Sequence, residues 1–244
     1  MWMICWLHSD FDDCKFQTCF FIMCSHYQAL NDLSTSLRCF EVAPENIAAN
    51  IDIWSGNIGS FIRRRLNDQN DCHSNSRCEI VPGIFGLIPD WTQDIGISKH
   101  TFNAPSETAF QSPSYKNAWS QARHCIIAAS AIFEPDCKGP KAVPTRIVLS
   151  DGEPMGIAGL WSACKLPHKT IYSYALLTIN ADKHGFMSQF GKRMTEKRMV
   201  VVLPKNRYLD WLNATPEESM AFMQAYPAQN FQIATNTTVK KNDA

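Results

Sequence analysis

No surplus of charge marks this sequence: 23 lysines and arginines balance 23 aspartates and glutamates, so its formal net charge is zero. Without an excess of positive charge there is no global field to draw in nucleic acid, and any such partner must be held by a local basic groove. Long hydrophobic runs are missing as well. No stretch approaches the roughly 18 apolar residues of a membrane span, so a helical membrane protein is excluded and no membrane partner is expected. The first 22 residues lack a basic start and a small-residue cleavage site, and their apolar run breaks at His8 and Asp10. They do not read as a secretory signal, and the expected compartment is the cytoplasm.

Cysteine is not scarce, but paired C-x-x-C spacing is. There are ten cysteines, with Cys5, Cys14, Cys19 and Cys24 crowded near the start. In a reducing compartment they are thiols rather than a disulfide framework. A zinc site completed by His8 or His26 would want two tight pairs, so no metal is expected; nor is a cofactor. Residues 1–22 gather Trp, Phe and Cys around three aspartates with neither helical nor strand periodicity. We read them as an extension without a structural role, non-functional or removed.

What is present describes one folded domain. Hydrophobic residues make up 45% and charged residues 19% of 244 positions, enough to bury a sizeable core. Residues 27–37 have the pattern of an amphipathic helix, and "CFEVAPEN" that of an extended segment stopped at Pro44. The polar stretch 67–76 reads as a loop. Apolar runs of strand length follow: "CEIVPGIFGLIP", "HCIIAASAIFE", "TRIVLSDGEPMGIAGLW", "YSYALLTINA" and "RMVVVLP". Asp151-Gly152 between two such runs signals a hairpin. Pro204 suits the first turn of a helix over "PKNRYLDWL", and Thr215-Pro216-Glu217-Glu218 forms a capping box ahead of "SMAFMQAY". The fold class is α+β: a single domain over 23–234 with a strand-rich, barrel-like antiparallel core, flanking helices and a polar tail at 235–244.

Three places carry candidate chemistry. Cys24 is followed closely by His26; "FNAPSET" holds Asn103 and Glu107; and Glu134 closes a strongly apolar strand. A carboxylate ending a buried strand is desolvated, which raises its pKa and suits it to acid–base work. Each has a plainer explanation: a buried thiol for Cys24, an Asx-turn for Asn103, a solvated strand-end acid for Glu134.

The order of these features resembles the SRAP family (SOS response-associated peptidase domains), whose members shield abasic sites in single-stranded DNA. The resemblance runs from 23 to about 212. It rests on "MCSHY" at 23–27, "VAP" at 42–44, "FGLIPDW" at 85–91, "NAPSET" at 103–108 and the strand from Cys125 to Glu134. "GIAGLW", "LLTINA" and "EKRMVVVLP" complete it.

The resemblance implies that Cys24 becomes the first residue of the working protein. Its amine and thiol then close a thiazolidine ring on the abasic aldehyde, with linked self-peptidase and AP-lyase activity in the DNA-damage (SOS) response. An α-amine, with pKa near 7.7–8.0, is far more often neutral at pH 7 than a lysine. The adjacent thiol makes ring closure intramolecular. Asn103 is then expected to orient the amine and sugar, and Glu134 to act as general acid–base. Phe85 and Trp91 are expected to stack on bases and Arg198 to meet phosphate, with Arg63-Arg64-Arg65 a lesser candidate because adjacent arginines usually form a solvated face. The partner is single-stranded DNA with abasic sites, the location nucleoid-associated, the state monomeric.

Two positions depart from the family pattern. Gly191 stands where the family histidine is expected, with His184 the nearest substitute in sequence and His26 a second candidate. Pro105 stands where an arginine would meet phosphate. Two alternatives follow: a non-covalent single-stranded DNA-binding relative, or a cysteine hydrolase using Cys24, His26 and Glu134 on a small substrate, whose thiol needs no free amine.

Overall fold

Strands β8 (Met155–Leu166) and β9 (Lys169–Asn180) are rich in Ile, Tyr, Thr and small apolar residues, the composition that packs best on a pleated surface. They pair antiparallel from Gly159↔Leu176 to Leu166↔Lys169 across a tight turn at Pro167-His168. These strands belong to a computed structural model that describes residues 24–30, 40, 51–66, 77–192 and 194–234. The segments 1–22 and 42–44, the loop at 67–76 and the tail beyond 234 lie outside the described residues.

Five strands close on themselves. β9 pairs parallel with β4 (Cys78–Phe85), β4 antiparallel with β3 (Ile58–Arg64), β3 with β6 (His124–Asp136), and β6 antiparallel with β8. Closure leaves no free edge on the ring. Its core is aromatic: Phe85 stacks on Tyr174 at 5.6 Å and meets Tyr27 edge-on at 5.3 Å, while the two tyrosine hydroxyls bond at 2.6 Å. Gly59 makes room for that pair, since a Cβ there would collide with both hydroxyls. This is the strand-rich α+β architecture the apolar runs predict.

β6 has 13 residues and serves two parts of one continuous sheet. Its first half, His124 to Ala129, lies in the barrel against β8. Its second half leaves the barrel and is flanked by β1 (His26–Ala29) and β7 (Val143–Leu149). β2 (Asp52–Trp54) extends this wing beyond β1, and β12 (Phe231–Ile233) beyond β7. Short strands β5 (Asn103–Pro105), β10 (Arg198–Val200) and β11 (Val202–Leu203) add to β9, β9 and β8. Among the described residues the helices given in full are brief: α1 (Ser106–Ala109), α2 (Lys116–Ser120) and α3 (Tyr208–Asn213). From α3 the buried Trp211 donates its indole N–H to the Cys125 carbonyl at 2.8 Å and packs on His124.

Three local expectations are corrected. Tyr27–Ala29 is strand, not helix, because pairing with both β2 and β6 outweighs the helical spacing of its side chains. Asp151-Gly152 turns the chain without making a hairpin. β7 and β8 run along the same edge of β6, opposite Ile132–Asp136 and His124–Ala129, and the Asp-Gly turn only steps the chain between the two registers. The Asp151 carboxylate accepts from Glu153 N at 2.9 Å, as in an Asx-turn, and Gly152 takes φ +75. The hairpins on either side of this step are β6–β7 and β8–β9. The capping box at Thr215 does form, Thr215 N to Glu218 Oε2 at 2.9 Å and Glu218 N to Thr215 Oγ1 at 3.3 Å, but it starts only a 3₁₀ turn at Ser219–Phe222. Among the described residues no helix is long and apolar enough to cross a membrane.

Candidate active site

The register of β1 on β6 builds the site. Tyr27 faces Ile132 in an antiparallel pair, so three residues earlier Cys24 falls beside Pro135, next to Glu134. Both side chains are buried, Cys24 at 1% and Glu134 at 4% exposure. The Glu134 carboxyl accepts a hydrogen bond from the Cys24 backbone nitrogen. Burial pushes Glu134 up from its ordinary 4.5 to about 8, and the Cys24 N–H offsets only part of that. At neutral pH Glu134 is therefore chiefly a neutral acid. Burial, and then the nearby Glu134 charge, raise the Cys24 thiol well above its usual value despite a hydrogen bond from the Phe133 backbone. Cys24 also holds φ +21, at the edge of the left-handed region that L residues rarely adopt.

His26 does not serve the thiol. Its Nε2 is 3.0 Å from Asp52 Oδ1, and its ring is stacked between Trp54 at 4.0 Å and Phe133 at 4.1 Å. The Cys24 Sγ hydrogen bond runs to the His26 carbonyl, at 3.9 Å, rather than to its imidazole. That arrangement removes the support for a cysteine hydrolase built on a Cys24–His26 pair. Trp54, half exposed on the outer face of this stack, is a site-rim aromatic that strand alternation in "DIW" would have flagged.

The segment carrying Gly191 borders the same strand. Gly191 N donates to the Pro135 carbonyl at 2.8 Å, one residue beyond Glu134, and takes φ +79. His184 does not stand in for a histidine there. Its Nδ1 accepts from Met187 N at 2.9 Å, and its Nε2 is 2.8 Å from the Tyr226 carbonyl, so both ring nitrogens are spent on holding a loop.

The remaining candidates divide. Asn103 begins β5 opposite Leu176, half-buried, with its carbonyl accepting from Tyr115 Oη at 2.8 Å. Trp91 is exposed at 58%, its indole N–H bonded to the Pro113 carbonyl at 3.1 Å, which leaves ring faces open to a base. Phe85 is corrected: it is wholly buried in the barrel core and presents no surface to DNA. Arg198 is also less available than its sequence implies. Its guanidinium, 8% exposed, bonds Glu107 Oε2 at 2.5 Å, Glu196 Oε1 at 2.8 Å and the Thr178 carbonyl at 2.8 Å. Burial works to raise Glu107, but the Arg198 hydrogen bond and charge outweigh it and hold the carboxyl below its ordinary value. Arg63 is no solvated arginine either: it is buried, paired with Glu79 at 2.8 Å and lies over Trp161 at 4.3 Å. Pro105 caps the start of α1 in extended conformation.

A five-strand barrel with a buried cysteine and glutamate meeting at the junction of β1 and β6 defines a class. The sequence matches the family described as SOS response associated peptidase (SRAP) over residues 23–241, and the chain belongs to that family. It is similar to the abasic site processing protein HMCES of Rattus norvegicus, 22% identical over 73% of this chain, the match spanning 57% of the rat protein's length. An abasic site processing protein of Saccharomyces cerevisiae is 30% identical over 38% of this chain and 25% of its own. Among solved structures, a Bordetella bronchiseptica protein is 40% identical, with TM-score 0.76 over 86% of this chain and 98% of its own. A Bacteroides thetaiotaomicron protein, 17% identical with TM-score 0.68 over 87% of this chain and 93% of its own, shares the fold.

Proposed function

We propose that this chain processes abasic sites in single-stranded DNA, joining them covalently through Cys24 once the bond between Met23 and Cys24 is broken. One observation carries the reading: Cys24, whose nitrogen would become the free amine, is buried against Glu134, a carboxyl that burial pushes up to about 8. Family membership and the named relatives support the substrate class.

The chemistry follows from that pair. The amine adds to the open-chain sugar aldehyde, and the resulting carbinolamine loses its hydroxyl as water when Glu134 gives up its proton. An iminium and a carboxylate remain. The carboxylate then takes the proton of the Cys24 thiol as sulfur adds to the same carbon, closing the thiazolidine and restoring the acid. A thiol held neutral by burial is no obstacle, because its base appears one step earlier. Asn103 orients the sugar and Trp91 stacks on a neighbouring base. The left-handed φ of Cys24 supports the same reading, since that torsion exists only while Met23 is attached. Breaking that bond in cis is the peptidase activity of this proposal.

The test is a denaturing gel of protein beginning at Met23 with a single strand bearing one abasic site, beside the full chain and Cys24→Ala. We expect a heat-stable shifted band whose protein mass starts at Cys24, absent from Cys24→Ala. A band that survives Cys24→Ala, or retains residues 1–23, would sink the proposal. A second reading, non-covalent strand binding, draws on Gly191 beside Pro135, where no side chain can move a proton. It predicts binding without any band.

A further inference from the structure

Three flat rings stand in a row across the wing, one on each of three adjacent strands. The antiparallel registers place His26 of β1 opposite Trp54 of β2, and Tyr27 opposite Ile132, which sets His26 beside Phe133 of β6. Neighbouring strands lie about 4.8 Å apart, so rings that share a row can stack face to face. His26 lies 4.0 Å from Trp54 and 4.1 Å from Phe133, tilted by only 7° and 11°. On one side the row continues to Arg146 of β7, opposite Phe133. On the other it ends. Among the described residues β2 is the last strand on that side of the sheet, and Trp54 is left 48% exposed there.

A second row, of polar contacts, fixes the rings. Asp52 Oδ1 is 3.0 Å from His26 Nε2 and accepts from Gln28 Nε2 at 3.2 Å, while Gln28 Oε1 accepts from Arg146 Nε at 2.8 Å. The open face of Trp54 is thus held in place before anything meets it, which lowers the ordering cost of binding. The stack also borders the site. His26 is two residues from Cys24, and Phe133 adjoins Glu134. Ser55 N donates to the Ser25 carbonyl at 3.0 Å, so the end of β2 is tied to the residue next to Cys24.

An abasic nucleotide has no base to grip, so a protein that fixes its sugar must take hold of the nucleotides on either side. A nucleobase is flat and stacks on an aromatic face whatever its identity. We propose that Trp54 is the stacking platform for a base flanking the abasic nucleotide, that base becoming the fourth ring of the row. The proposal rests on the strand binding put forward above and adds a second hold, on a different element from Trp91. Trp54 touches the neighbouring base and not the reacting atoms, so it is a positioning residue that sets the sugar over Cys24.

Tetrahydrofuran, an abasic analogue without an aldehyde, separates binding from crosslinking. Fluorescence anisotropy would give the affinity of the whole chain for two labelled single strands. One carries a single tetrahydrofuran between ordinary nucleotides; the other carries three in a row, so that both flanking bases are gone. Wild type, Trp54→Ala and Trp54→Phe are compared. We expect Trp54→Ala to bind the first strand about 5- to 100-fold more weakly, the loss of one base–aromatic stack. Trp54→Phe should lose less, and all three proteins should bind the second strand alike. An unchanged affinity of Trp54→Ala for the first strand overturns the proposal. An equal loss on both strands overturns it too, because Trp54 would then only support His26 and the local fold. Crosslinking to a true abasic site is read separately. If wild type and variants show the expected pattern but wild type forms no crosslink, the platform stands and the Cys24 chemistry fails; if wild type binds neither strand, both fail.

Discussion

Glu134 is where a single residue sets measurable behaviour. Its carboxyl is near 8 when folded against an ordinary 4.5, so the folded chain keeps a proton that the unfolded chain releases. Stability contributed at this site is therefore greatest below about pH 4.5, falls as pH rises to about 8 and is flat beyond. Glu134→Gln should remove that fall and leave the variant more stable than wild type at pH 8.5, by roughly 3–5 kcal/mol. His124 works in the opposite sense: burial lowers it from 6.5 to about 4, costing stability as pH falls through that window. The difference between wild type and Glu134→Gln cancels it. Urea unfolding at several pH values would show the effect, and parallel curves for the two proteins would refute the assignment. The same substitution should slow crosslinking by about 10²-fold or more, since the acid step loses its proton donor. In wild type that step should weaken as pH rises past about 8.

Elements show why some of this was legible and some not. Glu134 could be found in sequence because a carboxylate at the end of an apolar run is conspicuous wherever the strand goes. Phe85 could not be sorted between core and DNA face, because the answer depends on Tyr27, Tyr174 and Phe102 arriving from other strands. Asp151-Gly152 misled for a related reason: a turn dipeptide fixes local torsions, while strand pairing is decided by what else competes for β6. Gly86 belongs to the element scale as well. It holds φ +122 at the end of β4, donates to the Tyr174 carbonyl at 2.8 Å, and leaves no space for a Cβ against the Ser98 carbonyl. Gly86→Ala should cost about 3 kcal/mol or more and lower the thermal midpoint steeply. A midpoint within a degree or two of wild type would show that the β4–β9 junction relaxes. Gly191→His tests the segment beside Pro135 differently. We expect a stability cost of about 1–2 kcal/mol for a Cβ at φ +79, offset by a crosslinking or release rate raised about tenfold. An unchanged rate in a folded variant would mean that no proton is passed from this position.

Across the whole molecule, β6 joins the barrel to the wing that carries Cys24, so the site and the core share one strand. Unfolding in urea should accordingly be one transition, with tryptophan fluorescence and far-ultraviolet circular dichroism superimposing. A separate early loss of β1 and β2 would divorce the site from the barrel. Some properties were determined by the sequence alone, because they depend on composition and local pattern. Among them are a zero net charge, one strand-rich domain, the ordered family motifs, and Cys24, Asn103 and Glu134 as residues to weigh. Only the tertiary structure decided that Cys24 and Glu134 meet and that Arg198 and His184 are already engaged. Each of these depends on which strands lie side by side and in what register, and register is set by the summed packing of distant residues rather than by any neighbour in the chain.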